Sequence, residues 1–494
     1  MLFIASRVLE HEVDNEGRLR LLERLQERKF TPLIRSMHLS GYEQALLFPH
    51  YVKEMERLIA MSVNSEGHTS YVQGDVFCFE DYVLFLLFGD TERGPSVMRA
   101  GIVYERQTVE PLRQLGSFCR TLSMCLTGES NDSAESIEDD PVKLMPWRPD
   151  PSSIQQAFMR FVGKQDADSL STIACRENAR ERVLAAKLLE DDYTRSFMRR
   201  AKEAYAEGYP VNLSTEETAK APPEFALNKL VEGGLLRREV LISCRQSGHM
   251  LFSLASADAL AVITISHARC SVCGAAIADE KIEDSFAPTP LSNVLLEDGA
   301  WLVNRLHTVL RELGVSECEI AVEPPAGNGE ARMMVQVCGE SFLIVMRDGE
   351  LTPAFARRAI NTKIETEARH LMLVVTGKVH NEGRTMLQGF AGRLARAGHD
   401  FELIIAEGMS AAASEIRYAF ERVSQKALAE QVCALDASAG LSVAKLINAR
   451  FQIRRSYEGQ NHPAQLPAPD TQVQSLQVRN LSVSTDPLPT LISN

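Results

Sequence analysis

The chain has no long apolar run, no surplus of positive charge and no disulfide-like spacing of cysteines, and each absence removes a class of protein. No stretch approaches the roughly 20 consecutive apolar residues that a membrane-spanning helix requires; the longest candidate, Tyr82 to Phe88, stops at Gly89 and Asp90. The opening MLFI is too short for a signal-peptide core, so a cytoplasmic protein without membrane association is expected. Lysine and arginine total 53 against 66 acidic residues, a formal charge of -13. Such a balance repels phosphate backbones at long range and disfavours a constitutive nucleic-acid coat protein. The 10 cysteines are scattered, the pattern of reduced core thiols rather than a disulfide scaffold. Also missing are a P-loop, a glycine-rich dinucleotide fingerprint after a strand, HExxH and GxSxG. NTP hydrolysis, zinc proteolysis and serine-hydrolase chemistry are therefore unsupported.

What is present is an ordinary globular composition, 45% hydrophobic and 24% charged over 494 residues, long enough for two to four domains at roughly 100 to 200 residues each. Residues 1–126 predict a mixed α+β domain. An amphipathic helix from Asp14 to Arg28 carries Leu19, Leu22 and Leu25; a second helix follows from Tyr42 to Leu58, and aromatic and β-branched strands lie between Thr69 and Arg106. Residues 127–152 are rich in Ser, Asp, Glu and Pro, the composition of a disordered linker. Residues 153–207 predict a helical connector with Val183, Leu184, Leu188 and Leu189 on one repeating face. Its cations Arg195, Arg199, Arg200 and Lys202 form either a solvated face or a phosphate or partner contact. Residues 438–494 predict a short helix and a disordered tail.

Residues 208–290 carry two local patterns. Ser214 and Glu217 form a capping box before a helix with Phe225, Leu227, Leu230 and Val231, which Gly233 and Gly234 stop ahead of a strand, LLRREVLISC. This order resembles the end of a winged-helix domain, with Arg237 and Arg238 where a wing would start. From Gly208 to Ala275 six cations face six acids, which favours a protein-contacting winged helix over a DNA reader. Next, Cys244 and the pair Cys270-Ser-Val-Cys273-Gly resemble a zinc ribbon, whose two tight turns present four thiolates to a tetrahedral ion. The first turn, Cys244-Arg-Gln-Ser247-Gly, has serine where the second thiolate belongs. Three readings stay open: a metal-free vestigial ribbon, a structural zinc completed by His249 or His267, or a chance spacing of cysteines.

From residue 291 to 437 the elements can be ordered. Leu302, Leu306, Val309, Leu310 and Leu313 mark a helix ended by Gly314. Three strands follow, CEIAVEP, EARMMVQVCG and ESFLIVMRDGE, the last two joined by a hairpin turn at Cys338-Gly339-Glu340. A helix opens at Thr352-Pro353 and turns Ala356, Ile360 and Ile364 inward. Then come a buried strand HLMLVVTGKV, a helix from Asn381 to Ala397, a strand FELIIAEG and a helix from Ala411 to Leu435. Helix, three strands, helix, strand, with helix-strand-helix appended, resembles the restriction-endonuclease-like fold of the PD-(D/E)xK nucleases. The whole chain is thus expected to be multidomain α/β and α+β.

That resemblance implies an aspartate on the second strand and an acid-x-lysine triplet on the third, because carboxylates fix Mg²⁺ against the scissile phosphate while lysine steadies the attacking water. Here those positions hold Arg332 and Val345-Met346-Arg347. The resemblance therefore implies a pseudo-nuclease, a domain that has lost cleavage. One alternative is a metal-dependent DNA endonuclease with displaced residues, for which Glu330, Asp348, Glu350 and Lys363 lie near the same edge; another is an unrelated α/β domain. Candidate nucleic-acid contacts are Arg195, Arg199, Arg200, Arg237, Arg238, Arg332 and Arg347. The layout looks like an accessory or scaffold subunit of a prokaryotic nucleic-acid-processing or phage-defence system, with an ATPase or nuclease partner supplying the chemistry.

Overall fold

The computed structural model describes residues 1–46, 52–64, 72–89, 97–127, 145–150, 156–163, 179–207, 211–212, 224–255, 269–276, 281–297, 299–323 and 329–461. Met1–Lys445 form one compact unit and Leu446–Asn494 a second. The first unit is mixed α/β with three sheets.

The N-terminal region contains β1 (Leu2–Glu10), α1 (Asn15–Glu27), α2 (Leu33–Leu46), α3 (Val52–Asn64), β2 (Gly74–Cys78), β3 (Tyr82–Phe88), β4 (Val97–Glu105), α4 (Pro111–Thr127) and β5 (Arg148–Pro149). Its sheet is antiparallel with order β2-β3-β4-β1-β5. Asp14 starts α1 by accepting the Gly17 N–H at 2.8 Å. Leu22 and Leu25 of α1 and Phe118 and Leu122 of α4 then cover Phe77, Leu84 and Ile102. The opening residues, which as sequence predicted no element, form β1 and pair with β4 along its whole length. The expected helix from Tyr42 to Leu58 is instead two helices, α2 and α3; Pro49 lies between them and has no N–H with which to continue a helix. Residues 128–144 of the expected linker lie outside the described residues. Its end belongs to the sheet: Trp147 Nε1 donates to Ser123 Oγ at 3.0 Å, and Asp150 meets Arg99 at 2.9 Å.

Asp75 at the edge of this sheet accepts the N–H groups of Ile34 at 2.8 Å and Arg35 at 2.9 Å, satisfying orphan donors at the start of α2. Burial pushes its carboxyl up to about 6, against the lowering effect of those N–H bonds. The folded state thus keeps a proton that the unfolded chain releases near pH 4. Stability from this group therefore falls as pH rises from about 4 to 6, and the cost is fully present above that, on the order of 3 kcal/mol. Asp75→Asn keeps an acceptor but cannot ionise, so the drop in stability between pH 4 and pH 7 is expected to shrink in the variant. Urea unfolding at both pH values checks this; an unchanged drop would show that Asp75 does not titrate there.

The middle of the unit contributes α5 (Gln156–Val162), α6 (Ala179–Leu188), α7 (Asp192–Ala206), β6 (Val211–Asn212), α8 (Glu224–Glu232), β7 (Leu236–Ser243), β8 (Met250–Leu254) and β9 (Lys281–Pro288). An antiparallel sheet runs β6-β9-β7-β8. The expected stop after α8 is present, with Gly234 at φ +72°, a left-handed conformation that glycine adopts without a Cβ clash. The capping box at Ser214 and Glu217 lies outside the described residues. On α6 the expected apolar face is partly displaced. Of its expected members Leu188 and Leu189 pack on the core, while Val183 and Leu184 are exposed and Ala185 and Ala186 take their place inside.

The C-terminal region comprises α9 (Pro290–Leu296), α10 (Ala300–Leu313), β10 (Ile320–Val322), β11 (Glu330–Val337), β12 (Glu340–Arg347), α11 (Pro353–Thr366), β13 (His370–Val375), α12 (Asn381–Arg396), β14 (Glu402–Glu407) and α13 (Met409–Val432). Its sheet runs in sequence order β10-β11-β12-β13-β14, antiparallel through β12 and parallel thereafter. The β11–β12 turn places Cys338 at φ +49° and Gly339 at φ +82°, the two left-handed residues of a type I′ hairpin. One face is covered by α10 and α13, with Trp301, Leu306, Ile416 and Phe420 over Met333 and Ile344. The other is covered by α5, α11 and α12, with Phe158, Phe355 and Leu387 over Leu343 and Leu371. Thr352 caps α11 as expected, but Ile364 is 56% exposed, since Phe355, Ala356 and Ala359 supply the buried stripe.

Neighbouring parts are joined by packing as well as by chain. A single apolar core includes Leu189, Leu230, Phe286, Trp301 and Phe420, so the β7–β9 sheet and the C-terminal sheet share their interior. Ser424 of α13 donates to the Leu2 carbonyl at 2.6 Å, fastening the last large helix to the first strand. Among the described residues no single helix is long and apolar enough to cross a membrane.

Candidate functional site

Two places in the fold gather chemistry-bearing side chains. The first is built from two turns of the same design. Strand β7 leads into Cys244, whose carbonyl accepts the Gly248 N–H at 2.8 Å while its own N–H donates to the His249 carbonyl at 2.8 Å. In the second turn the Cys270 carbonyl accepts the Gly274 N–H at 2.9 Å, and the Cys270 N–H donates to Ala275 at 2.8 Å. Gly248 and Gly274 sit at φ +67° and +71°, so both turns need a left-handed residue at the same place. The bonding pattern makes Cys244 equivalent to Cys270 and Ser247 equivalent to Cys273.

The turns face each other. The sulfurs of Cys244, Cys270 and Cys273 all lie within 4.8 Å of one another, with Cys244 and Cys273 at 3.5 Å. Ser247 Oγ takes the fourth corner, 3.6 Å from Cys270 Sγ. A tetrahedral zinc with Zn–S near 2.3 Å and Zn–O near 2.0 Å requires edges of about 3.8 Å between sulfurs and about 3.5 Å from sulfur to oxygen. The donor set therefore fits such an ion. The turns also favour thiolate at Cys244 and Cys270. Cys270 is pulled down to about 6 by the Cys273 N–H and then by the Ser247 hydroxyl and the Val272 N–H. Cys244 is lowered by the Ser247 hydroxyl first. Cys273 is lowered by the Ala275 N–H but raised overall by the sulfurs of Cys244 and Cys270 beside it. His249 is exposed and contributes its backbone to the first turn; its ring is not part of the ligand group. His267 lies outside the described residues.

The second place is the edge where β11 begins and β12 ends. Glu330 stands opposite Arg347 in register, is 1% exposed, and accepts Arg358 Nε at 3.0 Å as well as Arg347 Nη1 at 3.5 Å. One residue beyond β12, Asp348 accepts Trp301 Nε1 at 2.7 Å and Thr376 Oγ1 at 2.8 Å, and pairs with Arg199 and with Arg195 at 3.6 Å. The Arg195 guanidinium lies 4.7 Å over the Trp301 ring and donates to the carbonyls of Leu189 and Glu190. Two buried carboxylates are thus held by four guanidinium groups.

No protein family, curated protein or solved structure matches this chain. Its chemistry is that of the residues themselves, and their placement separates the sequence-derived candidates. Glu350 is exposed and bonded to His380 Nε2 at 2.7 Å, a contact that lowers its carboxyl below the ordinary range. Lys363 lies over the rings of Phe401 at 5.0 Å and Phe390 at 5.9 Å, and burial lowers its ammonium. Among the described residues Glu330, Asp348 and Glu350 do not form a group close enough to hold one ion, whereas the three cysteines do. Arg332 pairs with Glu323 at 3.1 Å, Arg237 with Glu239 at 2.7 Å and the Tyr205 hydroxyl at 3.1 Å, and Arg238 with Asn228 at 2.6 Å. Arg200 is exposed, its Nε on the Ser196 carbonyl at 3.3 Å. Arg358, Trp301 and Thr376 were not candidates by sequence; as a helical cation, an apolar-face tryptophan and a strand-end threonine they carry no local signature.

Proposed function

We propose that this protein is a non-catalytic accessory or scaffold subunit of a prokaryotic nucleic-acid-processing or phage-defence system, cytoplasmic, and joined to an ATPase or nuclease partner that performs the chemistry. In this reading the C-terminal region is a pseudo-nuclease of the PD-(D/E)xK type and the β7–β9 sheet is a winged-helix and zinc-ribbon-like module. The observation that carries it is the arginine clasp on Glu330 and Asp348. An acid that binds Mg²⁺ must present free oxygen lone pairs to the ion; here those lone pairs are spent on guanidinium, indole and hydroxyl donors. Val345, where the resemblance calls for an acid, is 1% exposed in an apolar core. The order helix, three strands, helix, strand over α10 to β13 supports the family reading, and the -13 charge favours a protein partner over autonomous DNA binding.

The expected result with single- or double-stranded DNA or RNA and either Mg²⁺ or Mn²⁺ is no cleavage above buffer. Cleavage by the wild type that disappears in Glu330→Gln or Asp348→Asn, both near-isosteric, would overturn the proposal in favour of an active endonuclease with displaced ligands. In the same reading the three cysteines hold a structural zinc, which when bound ties the two turns of the module together.

A further inference from the structure

Resting on the zinc reading, we infer that the fourth corner of this metal site is an exchangeable position that accepts an external thiol, so the site is open where a zinc ribbon is closed. Structural zinc sites use four protein ligands, while sites that bind an exogenous group keep three and leave one position open. Three corners here are thiols set by two matched turns. The fourth is Ser247, whose hydroxyl is neutral at physiological pH and a weak donor to zinc.

The weak corner is also the accessible one. Cys244 and Cys270 are each 2% exposed, whereas Cys273, Ser247 and their neighbour Val272 are exposed, Val272 at 64%. Cys244 and Cys270 thus root the ion against the sheet, and the replaceable Ser247 lies with Cys273 on the solvent side. The occupant's chemistry follows from the equivalence of the turns: Ser247 stands where the matching turn carries Cys273, so sulfur is the donor that would complete the set of the other three. On entry a thiol loses its proton to solvent and binds as thiolate, and Ser247 leaves as a neutral hydroxyl. No electron is transferred, and the charge of the centre goes from -1 to -2.

The test uses the full-length protein loaded with Co²⁺ in place of zinc, followed by its visible ligand-field bands as 2-mercaptoethanol is added, with bound metal measured by elemental analysis after desalting. The wild type is expected to show a saturable shift of those bands with its metal retained. Ser247→Cys should begin with bands like those of the thiol-saturated wild type and lose the response, and Ser247→Ala should respond at lower thiol than the wild type. If metal binds stoichiometrically but the wild-type bands do not move, the corner is closed by another ligand of the chain, and this inference fails while the zinc reading stands. Removal of the metal by the thiol, or an equal response in Ser247→Cys, overturns it as well. If neither Zn²⁺ nor Co²⁺ binds, both fall.

Discussion

Replacing Asp348 with alanine is expected to destabilise the C-terminal region by about 3 to 5 kcal/mol, the range for removing one partner of a buried ion pair. The side chain of Asp348 is 6% exposed and that of Arg195 is equally buried. Without the carboxylate, Arg195 keeps its cost of burial, which already lowers its guanidinium below the ordinary value, and loses one of the two carboxylates that offset it, keeping its pair with Asp192. The Trp301 indole N–H and the Thr376 hydroxyl lose their acceptor at the same time, and each unsatisfied buried donor costs roughly 1 to 3 kcal/mol. Asp348→Asn keeps one acceptor oxygen and should cost less than alanine. Denaturant unfolding followed by Trp301 fluorescence, in a Trp147→Phe background that removes the other tryptophan, reads this region directly. An alanine variant as stable as its parent would mean that the arginines find other partners and that the clasp is not structural.

The second large effect concerns the paired turns. The double substitution Cys270→Ser and Cys273→Ser should abolish stoichiometric zinc, because it leaves Cys244 as the one thiolate among the described ligand set. Metal bound by preformed turns contributes to folding directly, on the order of 10 kcal/mol or more for isolated zinc-finger peptides. The loss is expected to fall on β7, β8 and the two turns, while the N-terminal sheet, with its separate core around Phe77 and Phe118, stays folded. Elemental analysis of wild type and variant, with amide hydrogen exchange to locate the loosened segment, checks both parts. A variant that retains one equivalent of zinc would place the ion elsewhere in the chain.

The clasp also bears on function. An enzyme that needs carboxylates for metal cannot commit them to arginine, and a binding protein has no such constraint. Glu330 and Asp348 lie near the start of β11 and the end of β12, and the arginines around them balance their charge. Arg358 is 39% and Arg199 44% exposed at the side chain, so the rim of the clasp is cationic in an otherwise acidic protein. In the proposed reading, this rim is where the protein meets its partner or nucleic acid.

Local features were legible from the residues. The matched Cys-x-x-Cys and Cys-x-x-Ser turns, the left-handed Cys338-Gly339 hairpin, the Thr352-Pro353 helix start and the apolar stripe of α10 each depend on residues within a few positions of one another. The order of strands and helices after residue 291 followed from the same short-range patterns. The misread places depended on distant partners. β1 looks like an unremarkable terminus until β4, about ninety residues on, pairs with it. On α6 Leu188 and Leu189 pack inward as read from the sequence, but its neighbours bury Ala185 and Ala186 rather than Val183 and Leu184.

The same division holds for the site. Sequence alone determined that one turn carries Ser247 where its twin carries Cys273 and that positions 332 and 345 hold arginine and valine, because the residue at a position needs no fold to be read. Only the tertiary structure decided that Ser247 fills the missing corner on the exposed side, that His249 does not join the metal group, and that Glu330 and Asp348 are buried under arginines. The physical reason is that a charged side chain in sequence defaults to the surface, and only contacts across the fold, such as Arg199 with Asp348 and Arg358 with Glu330, can offset the cost of burying a carboxylate.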